Sequence, residues 1–346
     1  MTRDQVVRVG LAGFGKIARI AHLPSLRAIS GVQVTAIAER DTGTRTFADH
    51  YVPDAAVLPY WEGLLVRQDV DAIVICLPPA MHAIVATAAL QHGKSVYVEK
   101  PLATTLDDAR RAVAAAAAVS VPAMMGFNYR FHPLVRQMHE LLAAGRLGTP
   151  IAIRSTFTST GKDLPPWKRT RRDGGGALLD LGIHHADLVR YLADSPLVAM
   201  RGDISSRTVE GDTAFVQGET HNGVAWQGFF TIAGPAADRV EVIGDRGSMY
   251  LDRYAGVLDV RGRSVAHDRM GRLRQELANV PGAISRIGRP PGEPSYRVAL
   301  AAFVDAHRQG RTVTPDFRDG FDSLAAMVAA EQAAESGGIV RVAAID

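Results

Sequence analysis

The sequence predicts an α/β protein of two domains: a doubly wound parallel sheet, then an α+β domain on a mainly antiparallel open sheet. Three observations carry this. Short β-branched runs alternate with helical spacing from residue 6 to about residue 127. A glycine-rich loop stands where the first strand meets the first helix. Beyond residue 127, extended runs follow one another with little helix between them. At 346 residues, 47% hydrophobic and 22% charged, the chain suits two cores better than one. The expected domains are 1–126 and 127–346.

Residues 6–12 read as the first strand and 16–28 as the helix it feeds. Residues 32–38 form the next strand and 41–51 a polar helix. Strands follow at 71–77 and 95–99, with a helix across 80–92 between them. Thr105 is placed to cap a helix over 106–118, and Asp107 and Asp108 suit its positive end. Residues 123–127 close the first sheet. In the second domain helices are expected over 133–144 and 178–192, and strands over 151–160, 198–209, 213–221, 224–233, 239–243 and 248–251. His221-Asn222-Gly223 and Gly244-Asp245-Arg246-Gly247 are the hairpin turns. Late helices span 296–308 and 321–336. Residues 261–294, rich in arginine, glycine and proline, fit neither pattern. So long a connection is read as a substrate lid, an oligomer contact or an insertion without regular structure.

Formal net charge is +3, too small an excess to imply a nucleic acid without a clustered basic face. The one cluster, Lys168-Arg169-Thr170-Arg171-Arg172, has only Trp167 beside it as an aromatic, and it suits either phosphates or a solvated loop. The single cysteine, Cys76, excludes an intrachain disulfide and reads as a small buried hydrophobe. No run approaches ~18 apolar residues, so no membrane span is expected. The N-terminus lacks a signal-peptide plan, and a cytoplasmic location is the expectation.

Chemistry enters at Gly13-Phe14-Gly15-Lys16-Ile17-Ala18, a Gly-x-Gly-x-x-Ala fingerprint between strand and helix. Gly13 makes the tight turn, Gly15 lets the backbone approach a pyrophosphate, and Ala18 permits close helix–strand packing. The helix N-terminus supplies free N–H donors to that anion. Glu39 ends the second strand, where an acidic residue accepts from ribose hydroxyls and repels a 2′-phosphate, favouring NAD over NADP. Arg40 beside it either stacks on adenine or pairs a phosphate. Leu77-Pro78-Pro79-x-x-His82 ends the next major strand with a rigid turn where ribose and nicotinamide would lie. His82 has two readings there, cofactor contact and helix packing.

Glu99-Lys100-Pro101 ends the strand at 95–99 and faces the crevice at the carboxyl ends of the strands. Pro101 keeps Lys100 extended, and a lysine there can donate to a reacting oxygen. Asp180, His184 and Asp187 lie at i, i+4 and i+7 on one helix face, after Gly174-Gly175-Gly176. A histidine flanked by carboxylates has the parts of an oriented general base. A polar outer stripe and a divalent metal on the three side chains are the other readings. A single stripe does not supply the convergence a metal needs, so no metal site is expected.

With these residues laid out, the chain resembles the Gfo/Idh/MocA family of nicotinamide-dependent oxidoreductases nearly end to end. Beyond the motifs above, the resemblance rests on Ala21-His22-Leu23-Pro24, on Gly126-Phe127-Asn128-Tyr129-Arg130-Phe131-His132-Pro133, on Gly174 through His184, and on Glu241 through Ser248. It implies an N-terminal Rossmann domain and a C-terminal domain whose open sheet makes homo-oligomer contacts, as a dimer or tetramer. It also implies hydride transfer between NAD(H) and a secondary hydroxyl or ketone of a sugar, sugar derivative or cyclitol. Carried over, Lys100, Asp180 and His184 match the family's catalytic set: His184 accepts the hydroxyl proton, Lys100 stabilises the oxyanion and Asp180 orients its neighbours. Tyr129, Arg130 and Asp187 would meet substrate hydroxyls, joined there by Lys100, Asp180 and His184. Asn128, Trp167 and Lys168 would meet cofactor or substrate. Phe14, Lys16, Ile17, Leu77, Pro78, His82, Glu99 and Lys100 would line the cofactor with Gly13, Gly15, Glu39 and Arg40. Two rival activities use the same parts: an NAD-requiring glycosidase working by transient oxidation, and a non-catalytic dinucleotide sensor.

Overall fold

The computed structural model describes residues 6–162, 164–262 and 293–345. Strands Val7–Ala12 (β1), Val32–Ala38 (β2), Ala56–Leu58 (β3), Ala72–Ile75 (β4), Ser95–Val98 (β5) and Ala123–Met125 (β6) form one sheet in the order β3-β2-β1-β4-β5-β6. Every pairing in it is parallel. Both faces are covered by helices, which is why β4 and β5 are buried throughout instead of alternating. Strand order reverses between β1 and β4, and that switch point opens a crevice at their carboxyl ends.

The helix after β1 starts as a π-helical turn, Ala18–His22, and continues as α1 (Leu23–Arg27). Helix α2 (Thr42–Tyr51) is capped by Asp41, which accepts from the Thr44 N–H. Edge strand β3 and the short helix α3 (Glu62–Leu65) were not expected, since elements of three and four residues leave no periodic signal. Helix α4 (Pro79–Gln91) and helix α5 (Leu106–Ala117) follow, the latter capped by Thr105.

The second sheet comprises Pro150–Thr158 (β7), Leu197–Ser205 (β8), Thr213–Thr220 (β9), Ala225–Thr231 (β10), Ala237–Gly244 (β11), Gly247–Asp252 (β12), Val257–Gly262 (β13) and Val340–Arg341 (β14). Its order is β13-β12-β11-β7-β10-β9-β8-β14, antiparallel except for β7 against β10. Helix α6 (Pro133–Ala143) precedes this sheet, and α7 (Ile183–Ala193) packs against it. Strand β10 alternates, with Trp226 and Phe230 buried inward while Gln227 faces out. On the opposite face Phe215 is 56% exposed and meets Phe229 at a ring separation of 4.6 Å.

The two late helices part company. Helix α9 (Phe317–Ser336) packs on β8 and α5, but α8 (Ser295–Gln309) leaves the second sheet altogether. Its Ala299, Leu300, Phe303 and Val304 are buried with Val7, Leu11 and Tyr97 in the core of the first sheet. A cut at residue 126 therefore does not separate the cores. Its last strands, β13 and β14, also lay outside the expected set. The basic stretch 261–294 lies outside the described residues except at its ends. No helix among the described residues is long and apolar enough to cross a membrane.

Candidate active site

Gly13 sits at φ +91°, and a side chain there would meet the Cys76 carbonyl oxygen at 2.8 Å. At Gly15 the same test finds nothing within 4 Å, so the backbone there faces open space. This turn, followed by a helix start, fits a pyrophosphate held on backbone N–H groups. The Phe14 ring is fully buried, so only its backbone faces the loop, and its N–H donates to Glu39 Oε2 at 2.8 Å. Glu39 Oε1 accepts from the Asp41 N–H at 2.9 Å, which fixes the carboxylate at the mouth of β2. Lys16 is exposed, Ile17 half-buried and Arg40 exposed beside Glu39.

Cys76, expected inside the core, is only half-buried at the end of β4. Leu77 is half-buried too and Pro78 is exposed. Of the two readings of His82, the geometry gives packing. Its ring is buried, with Nδ1 2.6 Å from the Pro101 carbonyl oxygen and Nε2 2.7 Å from that of Leu77, so it ties the two strand-end turns together. Glu99 departs from expectation: its Oε1 lies 2.7 Å from His22 Nε2, and both side chains are buried. Its carboxylate is thus engaged inside the fold rather than presented to a ligand. Burial alone would push the His22 imidazole down, but the Cys76 sulfur and the Glu99 carboxylate outweigh it and push it up to about 10.

Lys100 and the second domain meet at Asp180. Lys100 Nζ donates to the Asp180 carbonyl oxygen at 2.7 Å and to Oδ1 at 3.3 Å. Lys168 Nζ donates to both carboxylate oxygens at 2.7 Å. Burial would raise the Asp180 carboxyl, yet the two ammonium groups hold it at about 2. Burial and the neighbouring Lys168 lower Lys100, with Asp180 opposing them. Lys168 arrives on a tight loop. A side chain at Gly175 would strike the Lys168 carbonyl oxygen at 2.3 Å, and one at Gly174 would strike Pro79 at 2.5 Å. Arg171 fastens this loop to Glu331 of α9 and to the Thr104 carbonyl oxygen. Trp167 is half-buried, its ring 5.3 Å from Lys168 Nζ.

Asp180 lies in a second π-helical turn, Leu178–Gly182, ahead of α7. His184, one turn on, is 6% exposed. Its neighbours are not the expected carboxylates. Its ring stacks on Tyr129 at 4.3 Å and 14°, and its Nδ1 is buried without a hydrogen-bond partner among the described residues. Burial, then the positive charges of Lys100 and Arg253, hold the imidazole well below its usual range.

Arg130 and Asp187, expected at substrate hydroxyls, close on each other instead. Arg130 donates to Asp187 through Nε at 2.9 Å and through its terminal nitrogen at 2.5 Å, and also reaches Asp319 at 2.8 Å. Asp187 is 1% exposed. The reason is helical rise: seven residues carry Asp187 about 10 Å along the axis from Asp180, too far for one small group to touch both. The same commitments leave Asp180, His184 and Asp187 without a shared focus for a metal, and no such donor group gathers elsewhere among the described residues. Tyr129 gives its ring to His184 and its hydroxyl to Arg253, at 2.7 Å. Asn128 is buried, its amide donating to Ser295 Oγ at 2.8 Å. Arg253, Asp238, Glu293 and His185, which back this region, were not singled out beforehand. They lie on separate elements and share no local motif.

Comparison with known proteins identifies the family. The oxidoreductase family GFO/IDH/MocA, with its NAD-binding Rossmann fold, matches residues 7–127, and the GFO/IDH/MocA C-terminal domain matches residues 135–250. The dTDP-3,4-didehydro-2,6-dideoxy-alpha-D-glucose 3-reductase of Streptomyces violaceoruber is 32% identical over 88% of this chain and 95% of its own. Inositol 2-dehydrogenase 2 of Saccharopolyspora erythraea is 29% identical over 92% of this chain and 90% of its own. A levoglucosan dehydrogenase solved with NADH shares the fold, with a TM-score of 0.85 at 22% identity over 98% of this chain and all of that one. Sequence, sheet topology and glycine loop converge: the chain belongs to the GFO/IDH/MocA family of NAD(P)-dependent oxidoreductases.

Proposed function

We propose that the protein transfers a hydride between NAD(H) and a secondary hydroxyl or ketone of a sugar, sugar derivative or cyclitol. The observation that carries this is the Lys100–Asp180–Lys168 cluster beside a neutral His184, at the crevice below the glycine loop. The relatives' names, a deoxysugar reductase and an inositol dehydrogenase, support a polyhydroxylated ring as substrate. Residues 1–126 would serve the cofactor and 127–346 the substrate, with Lys100 reaching across.

Bound nicotinamide supplies the carbon that takes or gives the hydride. The turn made by Gly13 and Phe14 would present the backbone N–H groups from Gly15 into the helix start to the pyrophosphate, and Glu39 would accept from ribose hydroxyls. His184 is kept neutral by burial and by its cationic surroundings, so it can take the hydroxyl proton as the carbon is oxidised. Lys100 donates to the same oxygen and offsets its developing negative charge. Asp180, ionised between two ammonium groups, fixes where both can point. In reduction the protonated imidazole returns the proton.

The open face of the second sheet, with Phe215 and Phe229 on it, is the surface we assign to a homo-oligomer contact. The test of the activity is a spectrophotometric screen with NAD and NADP across sugars, aminosugars, cyclitols and their keto forms, run with wild type and Lys100→Met. Turnover that vanishes in Lys100→Met while cofactor binding persists is the expected result. Undiminished turnover in that variant would remove Lys100 from the chemistry.

A further inference from the structure

We propose that Arg253 is a positioning residue for His184, clamping the Tyr129 ring flat against the imidazole and placing a fixed positive charge behind it. The catalytic half of this inference rests on His184 acting as the base; the structural half does not.

With Nδ1 unbonded, no hydrogen bond at that nitrogen sets the rotation of the His184 ring. What it has is a stack: Tyr129 at 4.3 Å, nearly parallel, with Phe157 tilted against it at 6.1 Å. Tyr129 is gripped in turn. The Arg253 guanidinium carbon lies 3.9 Å from the Tyr129 ring centroid, and a terminal nitrogen donates to the Tyr129 hydroxyl at 2.7 Å. Two groups at about 4 Å from one centroid cannot share a face, so the tyrosine is sandwiched between cation and imidazole.

Arg253 has little freedom of its own. Nε and a terminal nitrogen both donate to Asp238 Oδ2, at 2.9 and 2.7 Å, its other terminal nitrogen meets Glu293, and its backbone N–H donates to the Asp238 carbonyl oxygen. Asp238 Oδ1 is 3.2 Å from His185 Nε2, and Glu293 accepts from Ser295 Oγ at 2.8 Å. Such a bidentate, doubly countered guanidinium is held far more rigidly than a lone surface arginine.

The charged and titratable groups around His184 come from every side. Lys100 follows β5, Lys168 comes from the loop over Pro79, Asp180 and His185 share its helix, and Arg253 follows β12 with Asp238 and Glu293 behind it. Asp180 is committed to the lysines and Asp238 to Arg253 and His185. The field at the imidazole is therefore positive, and Arg253 supplies the part that acts through the tyrosine.

The test uses the full chain with histidine side chains isotopically labelled, so that His184 is titrated by NMR without any substrate. In Arg253→Gln combined with Glu293→Gln, which removes both charges of that ion pair and leaves Asp238 its contact with His185, the His184 midpoint should rise by about one pH unit. Arg253→Lys, which keeps the charge, should restore at least half of that difference. A midpoint that does not move in the folded double variant overturns the proposal. Tyr129→Phe keeps ring and charge and cuts only the hydroxyl link; a several-fold loss of kcat with unchanged KM is expected, and undiminished kcat overturns the clamp even if the double variant fails to fold. The acid limb of the kcat profile should follow the NMR midpoint. A midpoint that moves without the limb leaves Arg253 in its place and instead removes His184 as the base.

Discussion

Cutting the Arg130–Asp187 pair separates a structural role from a substrate-binding one. Asp187 takes two donors of Arg130, at 2.9 and 2.5 Å, and lies 3.8 Å from Arg190. Burial pushes its carboxyl above the usual range despite Arg130, so the ionised form is held at a desolvation cost. Removing one member of a buried pair costs about 3–5 kcal/mol, mostly because the survivor is stranded. Here Arg130 keeps Asp319 at 2.8 Å, which places Asp187→Ala near the low end, about 3 kcal/mol. In Arg130→Met with Asp187→Leu, Asp319 still has Arg190 at 3.4 Å, so stability should return to within about 1 kcal/mol of wild type. Urea denaturation followed by tryptophan fluorescence measures both, alongside the KM for the best substrate found. If Asp187→Ala keeps its stability while KM rises tenfold or more, the side chain serves substrate and the structural reading fails.

Three further outcomes follow from other parts of the molecule. His22 has a folded pKa of about 10 against 6.5 unfolded, so its pairing stabilises the fold fully below about pH 6.5 and is lost as pH rises through 10; the urea midpoint should fall over that window in wild type and much less in His22→Gln, and parallel curves would contradict this. Glu39→Ala should weaken NAD binding about tenfold and narrow its preference over NADP, as read by nucleotide titration; an unchanged ratio would relieve Glu39 of the ribose. Phe215→Glu should convert an oligomer to a smaller species by size-exclusion chromatography with light scattering, and an unaltered mass would move the contact off this face.

What was legible in the sequence was legible through period and punctuation. Strands β1, β2, β4 and β5 are buried β-branched runs closed by Gly, Glu or Pro, and Thr105 caps its helix as expected. Helix α8 was legible as a helix but not in its destination, because an amphipathic face does not name the core it enters. The stripe of Asp180, His184 and Asp187 was real as a face, yet its members serve three different partners. Periodicity gives direction around the axis; it says nothing of Arg130, 57 residues away, or of Lys168 on a neighbouring loop. Glu99 failed for a related reason, since strand-end position does not say which way the side chain turns, and His22 decided it. Arg253 had no signal at all: it is one arginine among many until the second sheet carries it to Tyr129.

The start of α8 explains how the candidate site can straddle two cores without losing alignment. Its first two residues, with Glu293 just ahead of them, reach three parts of the site. Glu293 holds Arg253, Ser295 accepts from Asn128 beside Tyr129, and Tyr296 sets its ring edge-on to His22 at 5.3 Å, under Glu99 and Lys100. Two turns later the same helix sinks Phe303 against Tyr97 of β5, the strand that carries Lys100 at its end. Lys100 belongs to the first sheet, while Asp180, Lys168 and His184 belong to the second domain. Burial and the nearby Lys100 charge together hold the His184 imidazole low, and the Lys100 part depends on the two cores being docked. Moving Lys100 away from His184 would remove one of the positive charges that hold the imidazole low, and would free Asp180 from one of its two ammonium partners. The charged groups around His184 are thus brought together by the docking of two cores that α8 helps to join, an arrangement that neither the glycine loop nor the helical stripe carries alone.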